Sequence, residues 1–244
     1  DGSSAYTIKR FGIVNRYDLA KEFPALTLRP TGWKNAIDEL LWIWQKKTND
    51  ITQLQSHIWD AWAGEDNTIG KAYGYQLGKQ YNFRQGRMDQ VDNVIWQLKN
   101  TPASRRIMTN IYNFEDLSEM GLEPCAYSMT FNVTDNRLNA ILNQRSQDVL
   151  VANNWNVVQY AVLVHMLAQV CGYEAGELVH VIADAHIYDK HVPLVEELIG
   201  RTQYPAPKFE MNPDVKDFYE FTLDDFKLEN YQAGPQIKNI PVAE

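Results

Sequence analysis

An alternating stretch followed by a tight-turn sequence constrains this chain more than any other feature. From residue 125 to 133 (CAYSMTFNV), apolar and polar side chains alternate with the period of a β-strand. Asp135 and Asn136 follow as turn-forming residues, and a second extended stretch begins at Arg137. The pattern predicts an antiparallel hairpin with one buried face. That face carries Tyr127, Met129, Phe131 and Val133, and the other carries Ser128, Thr130 and Asn132.

The hairpin predicts which residues face each other across the two strands. If Asp135 and Asn136 form a two-residue loop, Thr134 pairs with Arg137 and the register then sets Ala126 opposite Arg145 and Cys125 opposite Ser146. A guanidinium lowers the pKa of a nearby thiol and favours the nucleophilic thiolate. The same arginine and serine can also hold an oxyanion or a phosphate. The alternative is a small buried cysteine beside a structural arginine, and spacing alone leaves both interpretations open.

Helical patterns occupy two other regions. Residues 33–47 carry an apolar stripe at helical spacing, and Glu39 lies at its margin. Glu39 is there either a solvated surface acid or a carboxyl that faces a pocket, and periodicity alone favours the surface position. Residues 155–171 are apolar around most of the circumference and predict a buried helix. Either Asn153 or Asn154 is expected to cap this helix, and Gly172 is expected to end it.

The remaining pattern completes an α+β fold. Residues 178–188 read as a strand, followed by a helix to about residue 199. No linker, repeat or low-complexity tract divides the chain, so residues 1–244 are expected to form a single domain.

Composition limits the classes of protein that this chain can represent. A formal charge of −8 over 244 residues argues against a general DNA-binding or membrane-surface protein. The sequence has no apolar run of transmembrane length, and no signal peptide is expected. Only Cys125 and Cys171 are present, which argues against a disulfide scaffold and fits the reducing cytoplasm. Cys171 lies in an apolar segment and is expected to be an inert core residue.

Several dispersed motifs resemble those of one enzyme family in the same order. They are DELLWIWQ (38–45), HIWDAW (57–62), GKAYGYQ (70–76), SRRI (104–107), EPCAYSMTFNV (123–133), NQRSQDV (143–149), NNWNVVQYAVL (153–163), ADAHIY (183–188), FTLDDFKLENY (221–231) and IPVA (240–243). Together they resemble thymidylate synthase, which methylates dUMP with 5,10-methylenetetrahydrofolate. The resemblance implies a large mixed β-sheet flanked by helices, with two sheets packed back to back in a homodimer that shares its active sites.

The resemblance also assigns chemical roles. Cys125 matches the nucleophile that adds to C6 of uracil, a step that activates C5. Asn156 matches the amide that reads uracil O4 and N3–H, because an amide offers both an acceptor and donors. Glu39 and Tyr73 match the residues of the proton network around O4 and C5. Without the motif, Asn156 is a plain helix-start residue and Tyr73 an ordinary half-buried aromatic.

The resemblance also implies which residues bind the nucleotide and the folate. The segment 144–148 corresponds to the nucleotide site, with Arg145 and Ser146 on the phosphate. Arg105 and Arg106 match a pair that reaches into the partner's site, although adjacent arginines on a strand face opposite ways and one would otherwise be structural. The other assignments of the resemblance are Gln144, Gln147, His186 and Tyr188 on the nucleotide, with the last two gripping a sugar hydroxyl, and Trp59, Asp148 and Ala243 on the folate. No metal is implied.

Three positions depart from the family pattern. Ala126 follows the nucleophile where the family often has a histidine, so this position has no proton chemistry. The sequence begins at Asp1 without the segment that carries a further phosphate-binding arginine, and it ends in Glu244 where an apolar residue is usual.

Two alternative functions remain open from the sequence. One is a pyrimidine-nucleotide hydroxymethylase of the same superfamily, and the other is a non-catalytic relative that binds nucleotide or RNA. Binding to its own messenger RNA cannot be inferred from these residues.

Overall fold

The computed structural model of the protein describes residues 6–241. The strands are β1 (Thr7–Asp18), β2 (Tyr81–Phe83), β3 (Gly86–Met88), β4 (Met108–Asn110), β5 (Ala126–Thr134), β6 (Arg137–Asp148), β7 (Glu174–Tyr188), β8 (Lys208–Met211) and β9 (Phe226–Glu229). The α-helices are α1 (Trp33–Leu40), α2 (Gly74–Gly78), α3 (Gln90–Asn100), α4 (Asn153–Cys171) and α5 (Val192–Ile199). Short 3₁₀ turns connect several of these elements.

A five-stranded mixed sheet in the order β1-β7-β6-β5-β4 organises the fold. Strands β6 and β7 are parallel and all other neighbours in this sheet are antiparallel. The parallel pair follows from α4, which connects β6 to β7 as a crossover and packs on both strands. Strands β2 and β3, and strands β8 and β9, form two further two-stranded sheets. The predicted α+β class, with a large mixed sheet flanked by helices, is confirmed.

The predicted hairpin is present, and its turn has the expected conformation. Thr134 pairs with Arg137. Asp135 and Asn136 adopt φ angles of 51° and 60°, which suit a two-residue loop whose twist matches that of the strands. The centre of the predicted apolar face, at Met129 and Phe131, is buried.

The predicted register is wrong at the Cys125 end, because β5 contains a bulge. Ser128 pairs with Asn143, but Ala126 pairs with Gln144, so β5 has one more residue than β6 over this interval. Ala126 therefore does not face Arg145. Instead the Arg145 N–H donates to the Cys125 carbonyl at 2.9 Å, which replaces the predicted Cys125–Ser146 pair. A bulge changes the direction of the strand and of its side chains beside the site.

The predicted helices exist with changed ends. The helix expected over 33–47 is α-helical to Leu40 and continues as a π-helical turn over Leu41–Gln45. Helix α4 begins at Asn153 and ends at Gly172, which adopts a left-handed conformation with φ 82°. Neither predicted asparagine caps it, since the residue at the cap is Ala152 and no side-chain hydrogen bond is made there.

The Asn154 side chain binds the main chain of a distant segment instead of capping α4. Its Oδ1 accepts from the Leu26 N–H at 2.8 Å and its Nδ2 donates to the Pro24 carbonyl at 3.0 Å. The side chain therefore ties the segment before α1 to the start of α4. Among residues 6–241, no helix has the length and apolar character needed to cross a membrane.

Candidate active site

Cys125 lies directly before β5, and its neighbours fix its main chain from both sides. The Cys125 N–H donates to the Tyr73 hydroxyl at 3.1 Å. The Arg145 guanidinium donates from Nε to the Pro124 carbonyl at 3.1 Å and from a terminal nitrogen to the Glu123 carbonyl at 2.7 Å. Arg145 thus organises the loop that presents the cysteine, a role beyond the predicted electrostatic one.

The thiol itself is half-buried and free. Burial raises the pKa of Cys125 above its ordinary value, and the nearby Arg145 charge opposes that effect without cancelling it. The Arg145 charge does lower the pKa of Cys125, as predicted. The net direction is nevertheless upward, because burial has the larger effect. Cys171, the other cysteine, is also partly buried, and burial raises its pKa to about 11.

Tyr73 reaches Cys125 from an unusual backbone conformation. Its φ is 44°, a region that bulky residues rarely adopt and that the surrounding structure must impose. Burial raises the pKa of Tyr73 well above its usual range, so the phenol keeps its proton. Its ring packs against Trp59 with a centroid separation of 5.0 Å.

Glu39 is buried, with 5% of its surface exposed, so the surface position favoured by periodicity is wrong. The Trp59 indole donates to its Oε1 at 2.6 Å, and the Trp155 indole and the Gln159 amide each donate to its Oε2 at 2.5 Å. Burial raises the pKa of Glu39, whereas these three hydrogen bonds lower it. Because an indole can only donate, the two indole hydrogen bonds favour the carboxylate, but burial has the larger effect and the pKa of Glu39 is raised.

A row of amides extends from Glu39 toward the large sheet. Gln159 Oε1 accepts from Asn156 Nδ2 at 3.1 Å, and Asn156 Oδ1 accepts from Gln144 Nε2 at 3.2 Å. Gln144 Oε1 in turn contacts His180 Nε2 at 2.8 Å. Asn156 alone in this row is partly exposed, so it is the member that a ligand can reach. The structure therefore connects the predicted Glu39, Asn156 and Gln144 in one network.

The arginine pair Arg105 and Arg106 lies outside this network. Both residues are exposed and precede β4, so the assumption that they sit on a strand is wrong. Within residues 6–241, neither side chain makes a hydrogen bond or an ion pair. Two cations on a chain of net negative charge are therefore available to a ligand or to another molecule.

His186 and Tyr188 share a face of β7, as predicted from their spacing. Their rings meet edge to face with centroids 5.3 Å apart, and His186 Nδ1 contacts Asp184 Oδ1 at 3.0 Å. Tyr188 also packs against His191 at 5.5 Å. The pair therefore presents two polar groups side by side at the end of the strand.

Asp148 ends β6 close to the last described part of the chain. Its Oδ1 accepts from the Leu150 and Val151 N–H groups at 2.9 and 3.0 Å. Its Oδ2 lies 3.9 Å from His191 Nδ1, and His191 Nε2 contacts the Pro241 carbonyl at 2.8 Å. Asp148 is thus near the C-terminal tail. Ala243, predicted to cover the folate, and Glu244 lie outside the described residues.

Comparisons with known proteins agree in naming one family. The thymidylate synthase family profile matches residues 1–243. Thymidylate synthase 1 of Bacillus spizizenii is 46% identical over 241 residues, which cover 97% of this chain and 86% of the relative. Thymidylate synthase of Bacillus atrophaeus is 47% identical over 220 residues, or 88% of this chain and 97% of the relative. The chain belongs to the thymidylate synthase family.

A solved structure supports the same assignment. The thermostable thymidylate synthase A from Bacillus subtilis superposes with a TM-score of 0.94 at 44% identity, over 99% of this chain and 88% of that one. Membership makes this chain an enzyme that methylates dUMP to dTMP with methylenetetrahydrofolate as co-substrate. The matches favour neither the hydroxymethylase nor the non-catalytic alternative.

The surroundings of Trp59 are aromatic. Trp59, predicted to lie beside the folate, is buried and packs against Trp62 at 5.7 Å, and 38% of the Trp62 surface is exposed. The Trp62 indole is therefore available for stacking at this surface. Within residues 6–241, no group of three or more histidines, cysteines or acidic residues has the arrangement of a metal site.

Sequence reasoning missed three residues of the network: Trp155, Gln159 and His180. Gln159 carried a usable signal, since it is a polar residue three positions after Asn156 in an otherwise apolar helix. Trp155 and His180 carried none, because an indole or an imidazole in an apolar element is usually a core residue. Gln147, predicted to bind nucleotide, is buried, and its Nε2 donates to the Asp148 carbonyl at 3.2 Å.

Proposed function

We propose that the Cys125 thiolate adds to C6 of dUMP and that the row from Asn156 to Glu39 holds the uracil edge. The observation that carries this proposal is the position of Cys125. Tyr73 and Arg145 clamp its main chain, and the same Tyr73 packs on Trp59, a hydrogen-bond donor to Glu39. A nucleophile and a polar network for the ring oxygen are therefore connected by direct contacts.

The proposed roles follow from the groups that remain available. Asn156 has one lone pair and one N–H left after its bonds to Gln144 and Gln159, which suits N3–H and O4 of uracil. Glu39, whose pKa burial raises, exchanges protons around O4 and C5. Tyr73 keeps its phenolic proton and assists there. The bound methylenetetrahydrofolate supplies the one-carbon unit and the hydride.

The rest of the nucleotide and the folate take the flanking groups. Arg145 and Ser146 bind the phosphate, while His186 and Tyr188 hold the sugar hydroxyl. Gln144 supports Asn156, and Gln147 supports the segment that carries Asp148. Asp148 and Trp59 line the pterin side, and Ala243 belongs to the tail that closes over it.

We infer that the protein is a homodimer formed through the sheet face opposite α4. On β6 the face toward the core is buried at Leu138 and Leu142, but Ile141 on the other face is 39% exposed. Met108, which pairs with Thr130 next to Ile141, is 46% exposed on the same face. A sheet face that exposes large apolar side chains among polar ones is stabilised when a second sheet covers it. In such a dimer Arg105 and Arg106 reach the partner's phosphate site. Light scattering that gave a monomer at micromolar concentration would exclude this arrangement.

Two coarser properties complete the proposal. One hydrophobic core runs from Leu19 to Phe226, which supports a single catalytic domain over residues 1–244. The nucleophile must remain a reduced thiol, and both cysteines are free, which supports a cytoplasmic location.

A covalent trap tests the catalytic assignment. 5-Fluoro-dUMP cannot release a proton from C5, so with methylenetetrahydrofolate the enzyme should form a stable adduct visible by mass spectrometry. We expect the adduct with the wild-type protein, and peptide mapping should place it on Cys125. Cys125→Ser should bind dUMP but form neither adduct nor dTMP. Turnover close to wild type in this variant would exclude Cys125 as the nucleophile.

A further inference from the structure

Gln144 joins the base-reading network to a residue that has no assigned role. Its Nε2 donates to the Ser146 carbonyl at 3.1 Å as well as to Asn156 Oδ1. A backbone carbonyl only accepts, so the amide nitrogen must lie on that side. Gln144 Oε1 therefore points at His180, which is fully buried in β7.

This orientation determines the tautomer of His180. Because an amide oxygen only accepts, the His180 Nε2 must carry the proton and donate it to Gln144. His180 Nδ1 has no hydrogen-bond partner within residues 6–241, which agrees with a ring that carries a single N–H. Burial lowers the pKa of His180 to about 4, so the imidazole is neutral at physiological pH.

The same logic propagates to Asn156. Its Oδ1 must face the Gln144 amide nitrogen, and its Nδ2 must face Gln159 Oε1. Gln159 is fixed in turn, because its nitrogen donates to the Glu39 carboxylate. A flipped Asn156 would set two N–H groups against each other on one side and two oxygens on the other. The row therefore permits one orientation of the Asn156 amide.

We propose that His180 is a positioning residue that fixes Gln144, and through it presents Asn156 in the orientation that accepts uracil and rejects cytosine. This inference rests on the proposed function, in which Asn156 reads the base. Uracil offers a donor at N3 and an acceptor at O4, which match the free lone pair and N–H of Asn156. Cytosine offers the inverse pattern, so it requires the flipped amide. The His180 N–H opposes that flip indirectly, because it fixes Gln144 and Gln144 fixes Asn156.

A matched pair of substitutions isolates the N–H of His180. His180→Gln keeps an N–H donor at a comparable reach, and His180→Met has a side chain of the same length without a donor. The dissociation constants of dUMP and dCMP are measured for each protein by calorimetry, with kcat/KM for both nucleotides from tritium release. We expect the preference for dUMP over dCMP to fall about three- to tenfold in His180→Met and to stay within about twofold of wild type in His180→Gln.

Each outcome decides between the ideas. If His180 had only a structural role, its loss would weaken the binding of dUMP and of dCMP equally. An unchanged preference for dUMP in His180→Met therefore overturns the inference. An equal loss of preference in both variants also overturns it, because the donor would not be the cause. An unchanged ratio of kcat/KM for dUMP and dCMP in Asn156→Asp overturns the proposed base-reading role of Asn156 instead. If neither variant folds, ¹⁵N-histidine spectra of the wild-type protein decide, since a proton on Nδ1 of His180 contradicts the proposed donation.

Discussion

Trp155→Phe tests whether the buried Glu39 carboxylate depends on its indole donors. The Trp155 Nε1–H donates to Glu39 Oε2 at 2.5 Å, and phenylalanine keeps an aromatic ring but removes this donor. A hydrogen bond to a charged group contributes about 1.5–3 kcal/mol, so the variant should lose roughly that free energy of unfolding while Glu39 is ionised. The pKa of Glu39, already raised by burial, should rise further.

The sign of the pH dependence follows from linkage. A carboxyl whose folded pKa exceeds its unfolded pKa destabilises the fold as pH rises through the folded value, because ionisation then costs more in the folded state. Below the unfolded pKa of Glu39 the acid is neutral in both states. The loss in Trp155→Phe should therefore be larger at pH 8 than at acidic pH, and the acid limb of the kcat/KM profile should move to higher pH.

A second tryptophan provides the control. Trp42 is also buried, but its Nε1–H donates to the main-chain carbonyl of Asp50 at 2.8 Å, and this acceptor carries no charge. Trp42→Phe should lose stability by an amount that does not depend on the ionisation of Glu39. Urea unfolding of both variants between pH 5 and pH 8 gives the comparison. Parallel curves for the two variants would refute the reasoning that Trp155 acts through the charge on Glu39.

Two further predictions concern the base and the dimer. Asn156→Asp should shift the preference from dUMP toward dCMP, because a protonated carboxyl inverts the hydrogen-bond pattern, and the change can reach several kcal/mol at a buried polar site. An unchanged ratio of kcat/KM for the two nucleotides would show that Asn156 does not read the base. Mixing inactive Cys125→Ala subunits with inactive Arg105→Ala/Arg106→Ala subunits under mild denaturant, followed by refolding, should restore dTMP formation. In the heterodimer, one site combines an intact cysteine with the partner's intact arginines, so no recovery in verified heterodimers would place the arginines outside the shared site.

The sequence by itself determined the elements whose signals are local. Period-two alternation and the Asp135-Asn136 turn were enough for the hairpin, and an apolar circumference was enough for α4. The dispersed motifs identified the family, because their order along the chain is visible without any structure. The hairpin and the helix depend on neighbours within a few residues, and the family assignment depends on the order of the motifs along the chain.

Tertiary structure decided the features that depend on contacts between distant residues. The bulge before Ser128 changed the register at Cys125, since pairing beyond a turn depends on what each strand packs against. Glu39 lies at the margin of a helical stripe, and only the donors from Trp59, Trp155 and Gln159 make its burial tolerable.

His180 shows the same limit most clearly. Its position in β7 is predictable, but its partner Gln144 lies 36 residues away on the neighbouring strand. Strand periodicity can assign such a histidine to a buried face. Which hydrogen bond it makes depends on the parallel pairing of β6 and β7, and α4 creates that pairing by crossing between them.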